Sequence, residues 1–201
     1  LFLVSIAINC VAQDVHFSQF KISSFLLNPA LVGAQNNDYK AALQRKSQWA
    51  SVGVPFNTLT LSLERKDIFP SHSIGVQFLN DIAGDSRFKT AGVTLAYAKK
   101  VAVTADNLLS IGAELGLFQR SVVFDDLVFN DPENRSNLNF LFPDMAIGIA
   151  NFYEINKKMA LESGIAFYHI NKPKQSLTDN DAIRLHQKMN FHMALNYSYT
   201  A

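Results

Sequence analysis

The chain has 201 residues, a little over the ~150 of an average domain, so one fold or a piece of one is expected. It is 48% hydrophobic and 17% charged with a formal net charge of +1; soluble domains carry roughly 25% charge, and nothing here forms a basic patch for nucleic acid. Its single cysteine, Cys10, excludes an internal disulfide and a cysteine-built zinc site.

Residues 1–12, LFLVSIAINCVA, form an apolar run of signal-peptide length, too short for the roughly 20 residues of a membrane-spanning helix. Cys10 and Ala12 place small residues three and one positions before a cut that would leave Gln13 as the mature N-terminus. The initiator Met and a basic n-region are missing, so the sequence reads as starting part-way into its frame. Asn9 is a poor neighbour for a lipoprotein cysteine at Cys10. Beyond residue 12 no run approaches 18 apolar residues, so an exported chain of this kind is either soluble or a barrel.

Residues 13–38 differ in kind from the rest. They contain FSQF and then SSFLLNPALVGAQNN, with Pro29 as a stop and Asn36-Asn37 as a turn signal. A lead-in or plug segment with one short helical turn is expected there, followed by one β domain over 39–201.

From residue 39 onward the apolar residues alternate with period 2, and about eight such runs are readable: roughly 39–49, 56–66, 73–81, 87–100, 107–120, 143–153, 158–171 and 184–199. In one, Leu59, Leu61 and Leu63 oppose Thr58, Thr60, Ser62 and Glu64; in another, Leu109, Ile111, Ala113, Leu115 and Leu117 oppose Ser110, Gly112, Glu114 and Gly116. Several runs exceed the usual five or six residues and reach the ~9–11 of a strand tilted across a bilayer. Tyr97, Phe118, Phe152, Tyr153, Phe167, Tyr168, Tyr197 and Tyr199 gather near run ends, where an interfacial girdle would sit. The fold expected is all-β, a transmembrane antiparallel barrel of the outer membrane, incomplete here, with Glu114, Glu162, Lys188 and the glycines on a wet lumen face. A soluble sandwich or lipocalin-like barrel shows the same alternation, because period 2 does not say which face meets water.

Enzyme signatures are absent: no G-x-S-x-G, H-E-x-x-H, phosphate-loop or paired C-x-x-C pattern occurs. His186 and His192 share a face but lie about 20 Å apart along a strand, too far for one metal. His169, near Asn171 and Pro173, has no nucleophile placed beside it and reads as a polar turn. Asp125 and Asp126 would point to opposite faces of a strand. The stretch 80–86, NDIAGDS, is an Asx- and Gly-bearing turn signal without the alternate acids and final Glu of a calcium loop. No enzyme activity, cofactor or metal is expected.

Several separate stretches, in order, are similar to the PorP/SprF family of type IX secretion system outer-membrane proteins. They are Gln13-Asp14-Val15-His16-Phe17-Ser18-Gln19-Phe20 with Leu27-Asn28-Pro29-Ala30-Leu31-Val32-Gly33; Gln48-Trp49 with Pro55-Phe56-Asn57-Thr58; Asn80-Asp81, Ala83-Gly84-Asp85 and Phe88-Lys89-Thr90; Gln119-Arg120-Ser121 with Leu127-Val128-Phe129; and His169-Ile170-Asn171-Lys172-Pro173-Lys174-Gln175-Ser176. Val15 stands where a Pro is common in the family, and family members continue beyond the position of Tyr199, so further strands are expected outside this sequence. The resemblance implies a barrel in the outer membrane of a Gram-negative bacterium, reached through a cleaved signal peptide. It would serve the type IX protein secretion and gliding-motility machinery, supporting export or surface anchoring of secreted adhesins. Implied partners are outer-membrane lipid, periplasmic ring proteins, a peptidoglycan-linked component and the C-terminal domain of secreted adhesins. Phe17, Phe20, Asn28, Pro29, Trp49, Asn80, Asp81, Gly84, Phe88, Gln119, Arg120, His169, Asn171 and Pro173 are then partner-binding or positioning residues. The alternative is a porin-like or plugged channel for lipid or solute.

Overall fold

A computed structural model describes residues 14–51, 53–84, 88–122, 138–175 and 184–198. The expected signal segment, Asp85, Asp125, Asp126, Leu127-Val128-Phe129, Ser176 and Tyr199 lie outside the described residues. Eight strands form one sheet in strict sequence order: β1 (Tyr39–Gln48), β2 (Phe56–Phe69), β3 (His72–Ala83), β4 (Phe88–Thr104), β5 (Asn107–Val122), β6 (Leu138–Asn156), β7 (Met159–Tyr168) and β8 (Lys188–Tyr197). All neighbours are antiparallel, and the sheet curls into a half-barrel. Before β1 come a 3-10 turn at Phe20–Ile22, a four-residue helix α1 (Ser24–Leu27) and a second 3-10 turn at Pro29–Leu31.

The two ends of the sheet are unlike. At one end β2–β3, β4–β5 and β6–β7 are joined by two-residue turns, Pro70-Ser71, Ala105-Asp106 and Lys157-Lys158. In the last of these Asn156 Oδ1 accepts from the Lys158 and Met159 amides at 2.9 and 3.0 Å, the local bond that makes Asn a turn residue. At the other end the connections are 49–55, 84–87, 123–137 and 169–187, mostly longer. Short turns on one side and long loops on the other is the asymmetry of a membrane barrel.

Burial settles what alternation left open. Ser110 and Ser73 are 0% exposed and Glu64 3%, whereas Leu115 is 60% and Phe191 72% exposed. The polar and small residues point into the curl and the large apolar ones point out, the reverse of a soluble sandwich, whose apolar faces would meet each other. β4, β5 and β6 run to 17, 16 and 19 residues, more than the ~9–11 a bilayer crossing takes. Among the described residues no helix is long and apolar enough to cross a membrane.

Most strand ends differ from the sequence reading by a few residues, as β7 stops at Tyr168 and β8 starts at Lys188, and two of the differences bear on the site. β6 begins at Leu138, not near 143, because Pro143 marks a strand start in sequence terms; here it lies inside the ladder opposite Leu117, with Leu138–Phe142 paired beyond it. Asn80 and Asp81, read both as the end of the run 73–81 and as the start of a turn, lie inside β3, which continues to Ala83, and pair with Ala91 and Thr90. Their poor strand propensity is outweighed by the ladder on both sides and by Thr58 Oγ1, which donates to Asp81 Oδ1 at 2.6 Å.

Candidate functional site

Residues 14–34 lie along the concave face, and the face is cut to receive them. Gly112 and Gly148 are cross-strand partners on β5 and β6. A Cβ on Gly112 would stand 2.4 Å from the Ala30 nitrogen and the Pro29 carbonyl carbon, and one on Gly148 2.0 Å from Asn28 Oδ1. On β7, a Cβ on Gly164 would meet Asn28 Nδ2 at 2.7 Å. The three glycines on adjacent strands thus open a seat for Asn28-Pro29-Ala30, the close backbone approach that only glycine permits.

Asn28, fully buried, fills the seat by hydrogen bonding. Its Nδ2 lies 3.0 Å from the Ile149 carbonyl, 3.3 Å from the Ile165 carbonyl and 3.1 Å from His192 Nε2, while Oδ1 accepts from the Ala30 amide at 2.9 Å. The last bond caps the Pro29–Leu31 turn, and Pro29 suits its first position because it has no amide to satisfy. Around the seat, Ser110 Oγ donates to the Ala30 carbonyl at 2.7 Å, Tyr168 Oη to the Phe25 carbonyl at 2.9 Å, and Asn190 Nδ2 to the Leu26 carbonyl at 3.0 Å. Gln77 Nε2 donates to Ser23 Oγ at 2.9 Å.

One lumen row crosses the whole sheet: Lys40, Glu64, Gly75, Ala96, Glu114, Ala146, Tyr168 and Lys188 are successive ladder partners from β1 to β8. Glu64 is completely satisfied, pairing with Lys40 Nζ at 3.0 Å through one oxygen and accepting from the Gly33 amide at 3.1 Å through the other. Gly33 takes a left-handed φ of +73° against Ser73, which marks the exit of the segment from the curl. Glu114, 5% exposed, leaves Oε1 without a hydrogen-bond partner.

The long-loop mouth holds a charged junction around His169. Its Nδ1 lies 2.8 Å from Asp144 Oδ2 and its Nε2 3.3 Å from Asp14 Oδ2, while Lys188 Nζ reaches the same Asp14 oxygen at 2.6 Å. Burial of the ring opposes its charge, but the hydrogen bonds and charges of Asp14 and Asp144 outweigh that and push His169 up to about 9. Burial likewise disfavours the Asp14 carboxylate, and the bond from His169 with the charge of Lys188 overcomes it, holding Asp14 well below the ordinary carboxylate range. Both ring nitrogens then donate, so the imidazolium clips the start of the segment to β6. The backbone of His169 is left-handed at φ 57°, and Asn171 Nδ2 donates to the Pro143 carbonyl at 2.8 Å.

Most of the remaining sequence-named residues lie at the same mouth. Trp49 follows β1 with φ 62°, 66% exposed, its ring edge-on to Phe56 at 4.9 Å. Arg120 lies 5.1 Å from the Phe88 ring centroid and 5.3 Å from that of Phe142, with Nε donating to Thr90 at 3.1 Å. Gln119 Nε2 donates to Asn139 at 2.9 Å, Gly84 has φ +66°, and the Pro173 carbonyl accepts from the Leu185 amide at 2.9 Å. Phe17 is buried, whereas Phe20 is 54% exposed. Asn28 and Pro29 stand apart, deep in the curl. Lys188 and Glu64 were read from sequence only as members of the wet face, Asp14 only as part of the lead-in stretch, and Asp144 not at all; Asp144 was findable, since it shares parity with the lumen residues Ala146 and Gly148. His186 falls before β8 while His192 lies in it against Asn28, so the two do not form a pair. Among the described residues no group of three His, Cys, Asp or Glu side chains converges as a metal site.

A family model described as type IX secretion system membrane protein PorP/SprF matches residues 9–201. No curated protein and no solved structure matches the chain.

Proposed function

Because the chain belongs to the PorP/SprF family of type IX secretion system membrane proteins, we propose that it works as an outer-membrane barrel supporting export or surface anchoring of secreted adhesins. The observation that carries this reading is the family match over nearly the whole chain, and the outward apolar face with inward polar face fits it. Short turns then face the periplasm, where ring proteins and a peptidoglycan-linked component would be met, and the long loops face outward toward an adhesin's C-terminal domain. In gliding cells the same role would couple to surface motility. Residues 14–34 act as a plug held in the lumen, and Trp49, Arg120, His169 and their neighbours shape the outward mouth.

The test is co-purification of the membrane-extracted protein, tagged within 123–137, with mass spectrometry of what stays bound. Ring proteins or an adhesin carrying a secretion-signal domain are expected, and deletion of the gene is expected to abolish surface display of that cargo. A barrel that comes out alone, with display unchanged on deletion, overturns the reading. The lining of Ser, Thr and Gly on the concave face favours a second reading, a plugged channel; solute flux through proteoliposomes without a secretion defect would select it.

A further inference from the structure

On the convex face, near the short turns, the ladder sets Tyr39, Arg65, Ile74, Tyr97 and Ala113 side by side from β1 to β5. The next outward row toward the middle of the sheet is Leu63, Val76, Leu95 and Leu115. Ala113 is the small member of its row, lying between Tyr97 and Ile147, and beside it the surface sinks into a half-open groove of about 590 Å³. That volume is within the ~300–1,000 Å³ typical of ligand sites.

The groove is apolar along its length and cationic at one end. Arg65 is exposed, its guanidinium 5.5 Å from the Tyr39 ring centroid, and among the described residues no carboxylate pairs with it. Lys99, two residues beyond Tyr97 on the same face, is exposed and also has no ion pair among the described residues. Opposite Lys99 stands His72, whose Nδ1 bonds the Tyr97 hydroxyl. A lipid-facing arginine is tolerated only near the interface, where its long stem can carry the charge to the headgroups. At that depth the bilayer supplies an anion, the phosphate diester, which the planar guanidinium matches with paired donors.

We propose that this groove is a site for one glycerophospholipid of the leaflet on the short-turn side. An acyl chain lies against Leu63, Val76, Leu95 and Leu115 over the gap at Ala113, and its phosphate is held between Arg65 and Lys99. This rests on the membrane-spanning reading above. It differs from a general lipid annulus in having a defined depth and a defined charge pair, Arg65 with Lys99.

The test is lipid retention by the full chain extracted in mild non-ionic detergent, read by native mass spectrometry and by add-back of phosphatidylethanolamine, phosphatidylglycerol or inorganic phosphate after delipidation. About one phospholipid per chain is expected to survive. Ala113→Leu, which fills the groove with a residue suited to a lipid-facing position, and the double substitution Arg65→Gln with Lys99→Gln are each expected to weaken add-back roughly tenfold. Phe191→Leu, on the convex face of β8, is the control and is expected to bind as the parent does; heat-modifiable gel mobility confirms that each variant is folded. Retention untouched by both groove variants, equal loss in Phe191→Leu, or inorganic phosphate binding as tightly as phospholipid would each overturn the site. Carbonate extraction of membranes separates the two levels: a chain released by carbonate removes the membrane reading itself, whereas one that stays but keeps no lipid removes only this site.

Discussion

The concave and convex faces of this one sheet obey different rules. On the concave side Gly112, Gly148 and Gly164 leave room for three particular residues, and Asn28 answers them with bonds to two carbonyls and a histidine. On the convex side, away from the groove over Ala113, Leu61, Ile149 and Phe191 stand 39%, 46% and 72% exposed. One face is specified atom by atom, as in a protein core where a single methylene is felt. The other needs only to be apolar and of reasonable size, since lipid tails fit around whatever shape it offers. Sensitivity to substitution should therefore follow facing rather than hydrophobicity.

The strongest way to break that contrast is Gly112→Leu. The new side chain would have to displace the backbone of Pro29 and Ala30, at a cost of about 3 kcal/mol or more by the usual scale of overpacking, and should unseat residues 14–34. Chymotrypsin cleavage after Phe25, which is 1% exposed while the segment is seated, reads this directly; a protected Phe25 would show that the seat is looser than its geometry. On the convex face the matching test is Leu61→Arg near the middle of β2, expected to cost about 2–4 kcal/mol in liposome unfolding titrations, while Leu61→Met should be close to neutral. Equal tolerance of Arg and Met there would mean that the face does not meet lipid. Asn28→Ala sharpens the picture with a smaller change, about 2 kcal/mol, because it removes the donor from two partly buried carbonyls and the acceptor that caps the Pro29–Leu31 turn; the same protease assay should show partial exposure.

The mildest expected effect is on pH. Folding raises His169 from 6.5 to about 9, so its contribution is complete below pH 6.5 and disappears as pH rises through 9. Asp14 is lowered, so its share is present above its ordinary range and is lost as pH falls below it. The junction should thus hold best between about pH 4 and 6.5 and weaken toward pH 9 by about 2 kcal/mol. Amide exchange of the residues around Asp14 is expected to quicken over pH 6.5–9 in the parent, after correction for intrinsic rates, and to lose that extra dependence in His169→Gln.

The strands were legible because period-2 alternation survives any environment. Alternation by itself reads the same when turned inside out, so the facing was read from the small and charged members of the polar face, Glu114, Glu162, Lys188 and the glycines, and the fold bears it out. The structure adds the lead-in segment, whose Ser23, Ser24 and Asn28 need the polar face. The Asp14–His169 contact spans 155 positions and has no local signature. Trp49, Arg120 and His169 were marked through family resemblance alone, and the geometry then gathers them at one end. Pro143 misled in the ordinary way, since proline in a central ladder is uncommon enough to be read as a boundary.

The path of residues 14–34 bears on how such a barrel is made. The segment starts among His169 and Lys188 at the long-loop mouth, runs the length of the curl past Gln77 and Gly148, and leaves beside Glu64 and Lys100 just before β1. It is synthesised ahead of every strand that packs against it, so it is at hand as a former while the sheet is wound, with contacts to β8 made only when the last described strand arrives. Biogenesis would then be limited by these sequence-distant contacts and slow for that reason, and a seat lined with glycine lets each strand slide past the former before locking.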